Sequence, residues 1–319
     1  MSSKNKSIIF QLQRIKKFIE KGLSLILLLL LKISKKRYFN HYPIYLPDRV
    51  SDTFGRLTNV RYEPEEWKAV WHFGREGNCF LDIGANIGVI TVAMSKVAGE
   101  KGEVISCEPN PKIYSLLLKV IKMNKCSNVM ALEYVISDKC ADIPFFISDS
   151  DTLEVSSSLI GNNREKKVMA RSITIDELFE QGHAFDYIKI DAEGAELRIL
   201  EGAEKTIFTL RPVIQVELHG QYLGKFSDSL ESILIFVKAH SYDLINAVTW
   251  EEFEISDYLY CTHHHVYDPL TGEDLSFRGY GQAFFIPKEK RGIFQLPEVS
   301  PCKVCISANM PTGKVRLNR

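Results

Sequence analysis

Short apolar runs recur along the chain, and nearly every one stops at an acid. Phe80-Leu81 leads into Asp82, Glu103–Cys107 into Glu108, Tyr187–Ile190 into Asp191 and Val213–Val216 into Glu217. Val129–Val135 runs similarly into Ile136-Ser137-Asp138. Runs this short, apolar almost throughout, predict buried strands of a parallel sheet covered on both faces. Between them the spacing turns helical, as in Val89, Ile90, Val92, Ala93 and Met94 after Gly88, and in Lys112–Asn124 after Pro111, a residue suited to a first helical turn. Helices over Glu66–Phe73 and Ser229–Ala239, and strands near Tyr242–Val248 and Gln282–Ile286, continue the series. Ala141–Phe185 reads as an insertion holding the apolar Ile143–Ile147, the polar Ser156–Ser158, an alternating strand Val168–Thr174 and a short helix from Asp176. Alternating strands and helices predict an open α/β sheet, in which ligands bind beyond the carboxyl ends of the strands.

The first of those ends carries the most information. Asp82-Ile83-Gly84-Ala85-Asn86-Ile87-Gly88 is a strand that ends in an acid and enters a glycine-punctuated turn. Gly84 can adopt backbone angles closed to other residues, and the following helix presents free N–H groups to a ligand. The spacing is D-x-G-x-x-x-G, without the central glycine of the dinucleotide fingerprint. A carboxylate at that place repels a pyrophosphate and suits a ligand bearing an ammonium or sulfonium group. Glu108, 20 residues beyond Gly88, stands where a nucleotide-binding unit places an acid on the ribose hydroxyls. Ser137 and Asp138 are placed to read an adenine edge.

The order DIGANIG, CEPNP, VISD, IKIDAEGAELRILEGAE and RPVIQVELH resembles the FkbM family of S-adenosylmethionine-dependent methyltransferases over about residues 60–220, and more loosely to about 287. The most specific piece is Lys189–Glu196 with Leu200, Gly202 and Ala203 behind it. The resemblance implies a class I methyltransferase fold: a Rossmann-like, seven-stranded, mostly parallel sheet with helices on both faces. It implies S-adenosyl-L-methionine as donor and usually a hydroxyl oxygen as acceptor. Carried over by position, Asp82, Gly84, Asn86 and Gly88 hold the methionine part, Glu108 the ribose, and Ser137 with Asp138 the adenine. The family also has a hairpin in the insertion with serines near the pocket, and an acidic stretch, here Glu63–Glu66, that can close over the donor. An acidic helix start serving the helix dipole explains Glu63–Glu66 equally well.

Methyl transfer needs an aligned acceptor oxygen and a group that takes its proton. The candidates are Asp191, Glu193 and His219, where the fourth and fifth strands end. His219 has the titration range of a base near neutrality, although a strand-end histidine can simply bond its neighbours. Asp191 can orient the acceptor, contact the donor's amino group or join a metal site. Tyr258, Tyr260, Tyr280 and Phe284 are candidates for the acceptor's surroundings or for plain core.

Composition places one catalytic domain among ordinary globular proteins, with 45% hydrophobic and 25% charged residues in 319. The charge is uneven. Residues 1–37 hold ten Lys/Arg against one Glu, a balance of +9, which leaves −9 on the rest of a neutral chain. An acidic body with no basic, aromatic-interleaved face argues against a nucleic-acid partner. Ile8, Leu12, Ile15, Ile19 and Leu23 recur at helical spacing, and Leu23–Leu31 is almost wholly aliphatic between basic flanks. Such a stretch is short for a membrane span and lacks a small-residue cleavage site, so a basic amphipathic helix on an anionic membrane surface fits it best, with a short signal-anchor or a helix packed on protein as alternatives. The predicted location is cytoplasmic and peripheral at a membrane. Seven scattered cysteines, the lone Cys302-Lys303-Val304-Cys305 and His263-His264-His265 give no metal or disulfide framework, and no metal site is assigned.

The expected organisation is an N-terminal helix over 1–37, a connecting region over 38–75, a methyltransferase domain over 76–290 and a tail over 291–319. The leading functional reading is O-methylation of a hydroxyl on a sugar, glycolipid or small natural product. The alternatives are a non-catalytic donor-binding scaffold at a membrane, and an NAD-dependent oxidoreductase, which Asp82 and the missing glycine disfavour.

Overall fold

A computed structural model describes residues 35–39, 42–47, 64–148, 157–159, 165–219, 229–247, 250, 252, 281–294 and 296. The chain divides into two units, 1–62 and 63–319. The described part of the first unit is an antiparallel hairpin of β1 (Lys35–Phe39) and β2 (Tyr42–Leu46). Lys35, Lys36 and Arg37, assigned above to the end of an N-terminal helix, therefore lie in a strand. The apolar stretch Leu23–Leu31 lies outside the described residues, and so do Tyr258, Tyr260, Tyr280, the histidine triplet and the C-x-x-C pair.

The second unit opens with α1 (Pro64–Phe73), β3 (Cys79–Ile83), α2 (Val89–Ala98), β4 (Glu103–Cys107), α3 (Pro111–Met123) and β5 (Val129–Leu132). It continues with β6 (Val135–Ile136), β7 (Ala141–Ser148), β8 (Ser157–Ser158), β9 (Glu165–Ile173), α4 (Ile175–Glu180) and β10 (Tyr187–Ile190). Then come α5 (Glu196–Glu201), α6 (Glu204–Leu210), β11 (Val213–Glu217), α7 (Leu230–Ala239), β12 (Tyr242–Asn246), β13 (Gln282–Pro287) and a 3-10 helix, Lys288–Ile293. Local capping chemistry starts several of these helices. Asn110 accepts from the Lys112 amide ahead of Pro111, Thr174 from Glu177, and Ser229 from Ser232.

Seven strands form one sheet in the order β12-β13-β11-β10-β3-β4-β5, and only β13 runs against the rest. Side chains alternate across it. Leu81, Ile83, Ile188, Ile190, Ile214 and Val216 turn to one face and join Leu197, Ile199, Leu230 and Ile233 from α5 and α7 in a single core. Each such side chain contributes about 1.5–3 kcal/mol on burial. Asp82, Lys189 and Gln215, level with one another across three strands, turn to the opposite face under α1 and α2. Helices thus cover both faces.

One predicted strand is two. The run Val129–Val135 breaks after Leu132, whose carbonyl takes its last sheet hydrogen bond from the Glu108 amide at 3.1 Å. Val135 and Ile136 then pair with Ser172 and Ile173 in a second sheet, ordered β6-β9-β7-β8, built from the insertion. The tail expected from residue 291 begins inside the 3-10 helix.

Candidate active site

Parallel strands β3, β4, β10 and β11 end at one edge of the large sheet, and a cleft opens there. Its backbone wall is the turn after β3. Gly84 has φ +73°, and a Cβ on it would lie 1.9 Å from the carbonyl oxygen of Asp191. A glycine is required because the end of β10 presses on the turn, not because a ligand does. The Gly84 and Ala85 amides bond the Cys107 carbonyl at 3.1 and 3.0 Å. Asn86 is left-handed, at φ 50°, and this aims its amide at Glu108 Oε2, 3.0 Å away. Gly88 faces away from the cleft, where a Cβ would meet Leu117 at 2.5 Å.

Glu108 is buried, and its other oxygen accepts from the Asn110 amide at 2.8 Å. Burial pushes its carboxyl up to about 7, against the pull of these two N–H bonds. Glu108, Asn86, Gly84, Asp191 and Glu193 all line the cleft. Opposite them is an apolar wall of Ile113, Tyr134, Ile136, Phe145 and Leu159. Phe145 comes from β7 of the insertion sheet and Leu159 from just after its strand β8. The sequence singled out neither. Their signal was the apolar run Ile143–Ile147, which marks a strand without saying what it covers.

Four expected ligand contacts are placed elsewhere. Asp82 is fully buried; it accepts from Thr91 Oγ1 at 2.5 Å and stands 3.9 Å from Lys189 Nζ. It faces α2 rather than the cleft, because its position on β3 turns it to that side of the sheet. Gly88 supports helix packing instead. Ser137 is buried and donates to Asp138 Oδ1 at 2.9 Å, while Asp138 is exposed and stands 3.9 Å from Arg198 Nη1. Neither lines the cleft. Gly202 presses so close to the Ser137 carbonyl that a Cβ would lie 2.2 Å from it, which locks this loop to α5. Phe284 is fully buried among Phe73 and Trp250, so it belongs to the core. Glu66 lies beneath the sheet, 3.8 Å from Lys189 Nζ, and does not cover the cleft.

At the charged end, Glu193 and Gly194 both have positive φ, 52° and 105°, which turns the chain back into α5. The turn brings Glu196 under the site, fully buried. Its Oε1 accepts from the Gly194 amide at 3.0 Å and from His219 Nδ1 at 2.7 Å. That bond aims His219 Nε2 at Glu217 Oε1, 3.7 Å away, and Asp191 Oδ1, 4.0 Å away. Burial works against charge on the ring, but the Glu196 bond and the charges of Glu196, Asp191 and Glu217 overcome it and push His219 up to about 9. His219 is therefore an imidazolium at neutral pH in the free protein, not the base poised at neutrality that its residue type suggests. Asp191, Glu217 and His219 are also the described residues whose ligand atoms converge closely enough for a metal ion, all within 4.8 Å.

A family model, the Methyltransferase FkbM domain, matches residues 82–244, 163 of the 319. The chain belongs to the FkbM methyltransferase family. The matched span runs from the turn acid into β12, so it contains every cleft residue just described. Two curated proteins are similar to it. The hexuronic acid methyltransferase AglP of Haloferax volcanii is 28% identical over 51% of this chain and 65% of that protein. A cobalt-precorrin-6B C(15)-methyltransferase (decarboxylating) of Thermoplasma volcanium is 31% identical over 35% of this chain and 54% of that protein. The chain thus spans less than two thirds of either. Among solved structures, an FkbM methyltransferase from Methylobacillus flagellatus is 17% identical, with a TM-score of 0.39 over 65% of this chain and 54% of that one. No described helix is long and apolar enough to cross a membrane, and the expected interfacial stretch lies outside the residues searched.

S-adenosyl-L-methionine is the cofactor that goes with this family. The cleft's chemistry fits it: a buried carboxylate for two hydroxyls, an apolar wall for a purine, and acids for a cation.

Proposed function

We propose that the chain is an S-adenosylmethionine-dependent O-methyltransferase acting on a hydroxyl of a sugar, glycolipid or small natural product. The observation that carries this reading is the convergence of Glu108, Asp191 and the Glu196–His219 pair on one sheet edge. Glu108 would hold the ribose hydroxyls, Tyr134, Ile136 and Phe145 the purine, and Asn86 with Asp191 the amino-acid part. When bound, S-adenosylmethionine supplies a methyl group already activated by its sulfonium charge. The chain must then position an oxygen in line and accept a proton.

His219 takes that proton only when its own has left. A cationic ligand beside Asp191 repels the imidazolium and lowers its pKa from about 9 toward neutrality. Donor binding would thus prepare the base. Asp191 and Glu217 orient the ring and the acceptor, and Glu193, at the cleft wall, is placed to hold an acceptor hydroxyl. The name of the Haloferax relative, a hexuronic acid methyltransferase, supports a sugar acceptor. The acidic body makes a nucleic-acid acceptor the weaker choice.

The test is direct: purified protein, radiolabelled S-adenosylmethionine and a panel of glycans and hydroxylated small molecules. Label transferred to an oxygen supports the reading. Donor binding with no transfer to any acceptor would favour a binding scaffold, and NAD binding in its place would favour an oxidoreductase. Membrane recruitment through residues 1–37 belongs to the same proposal. Deletion of those residues should abolish flotation with anionic vesicles and leave transfer to a soluble acceptor intact.

A further inference from the structure

Glu196 closes the most specific run of the chain, Lys189–Glu196, yet it does not line the cleft. It is fully buried at the first position of α5. Burying a carboxylate is costly unless hydrogen bonds and a counter-charge compensate. Here the compensation has two parts. The Gly194 amide donates to Oε1 at 3.0 Å and closes the turn that Glu193 and Gly194 impose, at φ 52° and 105°. His219 Nδ1, from beyond the end of β11, meets the same oxygen at 2.7 Å. The histidine is anchored independently. Pairing of Ile190 with Val216 aligns the ends of β10 and β11, and the Leu218 amide donates to the Gly281 carbonyl at 2.5 Å. Two separately held segments thus meet in one bond.

The direction of that bond follows from its acceptor. A carboxylate oxygen that already accepts from an amide accepts from the ring as well, so Nδ1 carries a proton. Nε2 is then the nitrogen whose lone pair becomes available when the ring is neutral. It is also the one on the cleft side, 4.0 Å from Asp191 Oδ1 and 3.7 Å from Glu217 Oε1. A ring in the other tautomer would present an N–H where a lone pair is needed. Closing the turn explains the Gly194 bond, but a neutral amide oxygen would do that equally well. The ring is what calls for a carboxylate, because a charge at 2.7 Å also balances the imidazolium that proton uptake creates.

We infer that Glu196 is a positioning residue for methyl transfer, holding His219 in the tautomer that leaves Nε2 to take the acceptor's proton. This deepens the reading of His219 as the base and rests on it. In the transfer, the acceptor oxygen bonds to the methyl carbon, the sulfur–carbon bond breaks, and its electron pair stays on sulfur. The hydroxyl proton goes to Nε2, while Nδ1 keeps its own proton against Glu196. The charge that appears on the ring meets a carboxylate already in place, so little has to reorganise. Glu196 acts through the ring alone.

The experiment combines NMR of the full-length protein, with isotope-labelled histidine, and the label-transfer assay. The proteins are the wild type, Glu196→Gln, Glu196→Asp and His219→Ala, the last identifying the His219 signals by their absence. The wild type should show a far-downfield Hδ1 proton at neutral pH, the mark of a ring N–H bonded to a carboxylate. Glu196→Gln, which can still close the turn, should lose that signal. Its ring midpoint should fall below about 9, since Asp191 and Glu217 alone then favour the charged ring. On the high-pH plateau its kcat should fall by roughly 10²-fold or more, while acceptor KM moves less than about threefold. Glu196→Asp, which keeps the charge, should recover part of both. A wild type without the Hδ1 signal overturns the proposal, as does Glu196→Gln with an unchanged midpoint or plateau kcat. Should Glu196→Gln not fold, or no compound of the panel take label, the wild-type Hδ1 signal decides. Full activity in His219→Ala removes the base reading and the proposal with it. Loss in His219→Ala without loss in Glu196→Gln overturns the proposal alone.

Discussion

The two ends of the cleft are built from different materials. At the β3–β4 end the working parts are main-chain groups: the Asn86 and Asn110 amides on Glu108, and a turn whose shape depends on Gly84. At the β10–β11 end, where Asp191 lines the cleft and Glu196, His219 and Glu217 stand beside it, they are charged side chains gathered on one imidazole. Main-chain groups tolerate little substitution and do not themselves titrate, so pH reaches that end through Glu108. Side-chain sites keep their geometry under conservative exchange, yet their function moves with every proton.

The sharpest way to break this contrast is at Gly84. Its substitution by alanine drives a methyl into the Asp191 carbonyl and imposes left-handed strain, a lesion on the order of 4 kcal/mol or more. Gly182, also at positive φ but with nothing within 4 Å, serves as control, and Gly182→Ala should cost about 1 kcal/mol. Denaturant unfolding of both variants checks the pair. Similar losses would mean that the β10 contact is not what demands a glycine at 84.

At the charged end the expected losses are kinetic. His219→Ala should lower turnover by roughly 10²- to 10⁴-fold with little change in donor affinity or fold. An equal fall in donor binding would make the ring part of the donor site. The pH dependence sharpens the same point. A base must lose its proton to act, so kcat/KM, which reports the free protein, should rise through about 9. With the cationic donor bound, the limb in kcat should fall at lower pH. A common midpoint near 6.5 for both would mean that the surrounding acids do not hold the ring charged.

Glu108 should respond more mildly. Glu108→Gln leaves the side chain's shape but weakens charge-assisted bonds to the ribose, a loss of about 1.5–3 kcal/mol in donor binding. In the wild type, donor affinity should strengthen as pH rises through about 7, where Glu108 ionises. The smallest expected effect is that of a chelator. The His219 ring already faces Asp191 and Glu217, where a metal ion would otherwise sit, so transfer at neutral pH should survive metal removal. Loss of activity with recovery on adding a divalent ion would give the 4.8 Å cluster a metal role.

The same contrast governs what could be read from the chain. The parallel strands β3, β4, β10 and β11 followed from apolar runs that end in acids, and the second strand, Glu103–Cys107, has the expected bounds. The place of Glu108 followed from a count of residues after Gly88. Reach across strands did not follow. Nothing in the spacing reveals that Asp82 turns toward Lys189, or that Glu196 rather than a neighbouring backbone group holds His219. These depend on the register of β3, β10 and β11 and on two positive-φ residues, Glu193 and Gly194. The break in the third run was hidden too, since Val129–Val135 is apolar enough for one strand and only the Glu108 amide shows where pairing stops.

That break has a consequence for engineering. Strands β7, β8 and β9 form a hairpin-based annex, tied to the frame where Val135-Ile136 meets Ser172-Ile173 and where the Ser137 amide meets the Ile173 carbonyl. Phe145 and Leu159 of the apolar wall hang from this annex, whereas Glu108, Asp191 and His219 belong to the frame. This part of the wall, unlike Ile113, Tyr134 and Ile136, is thus a module separable from the chemistry. A transplant cut at 142 and 171 would exchange what the wall accommodates while leaving the reacting groups, and the core that supports them, in place.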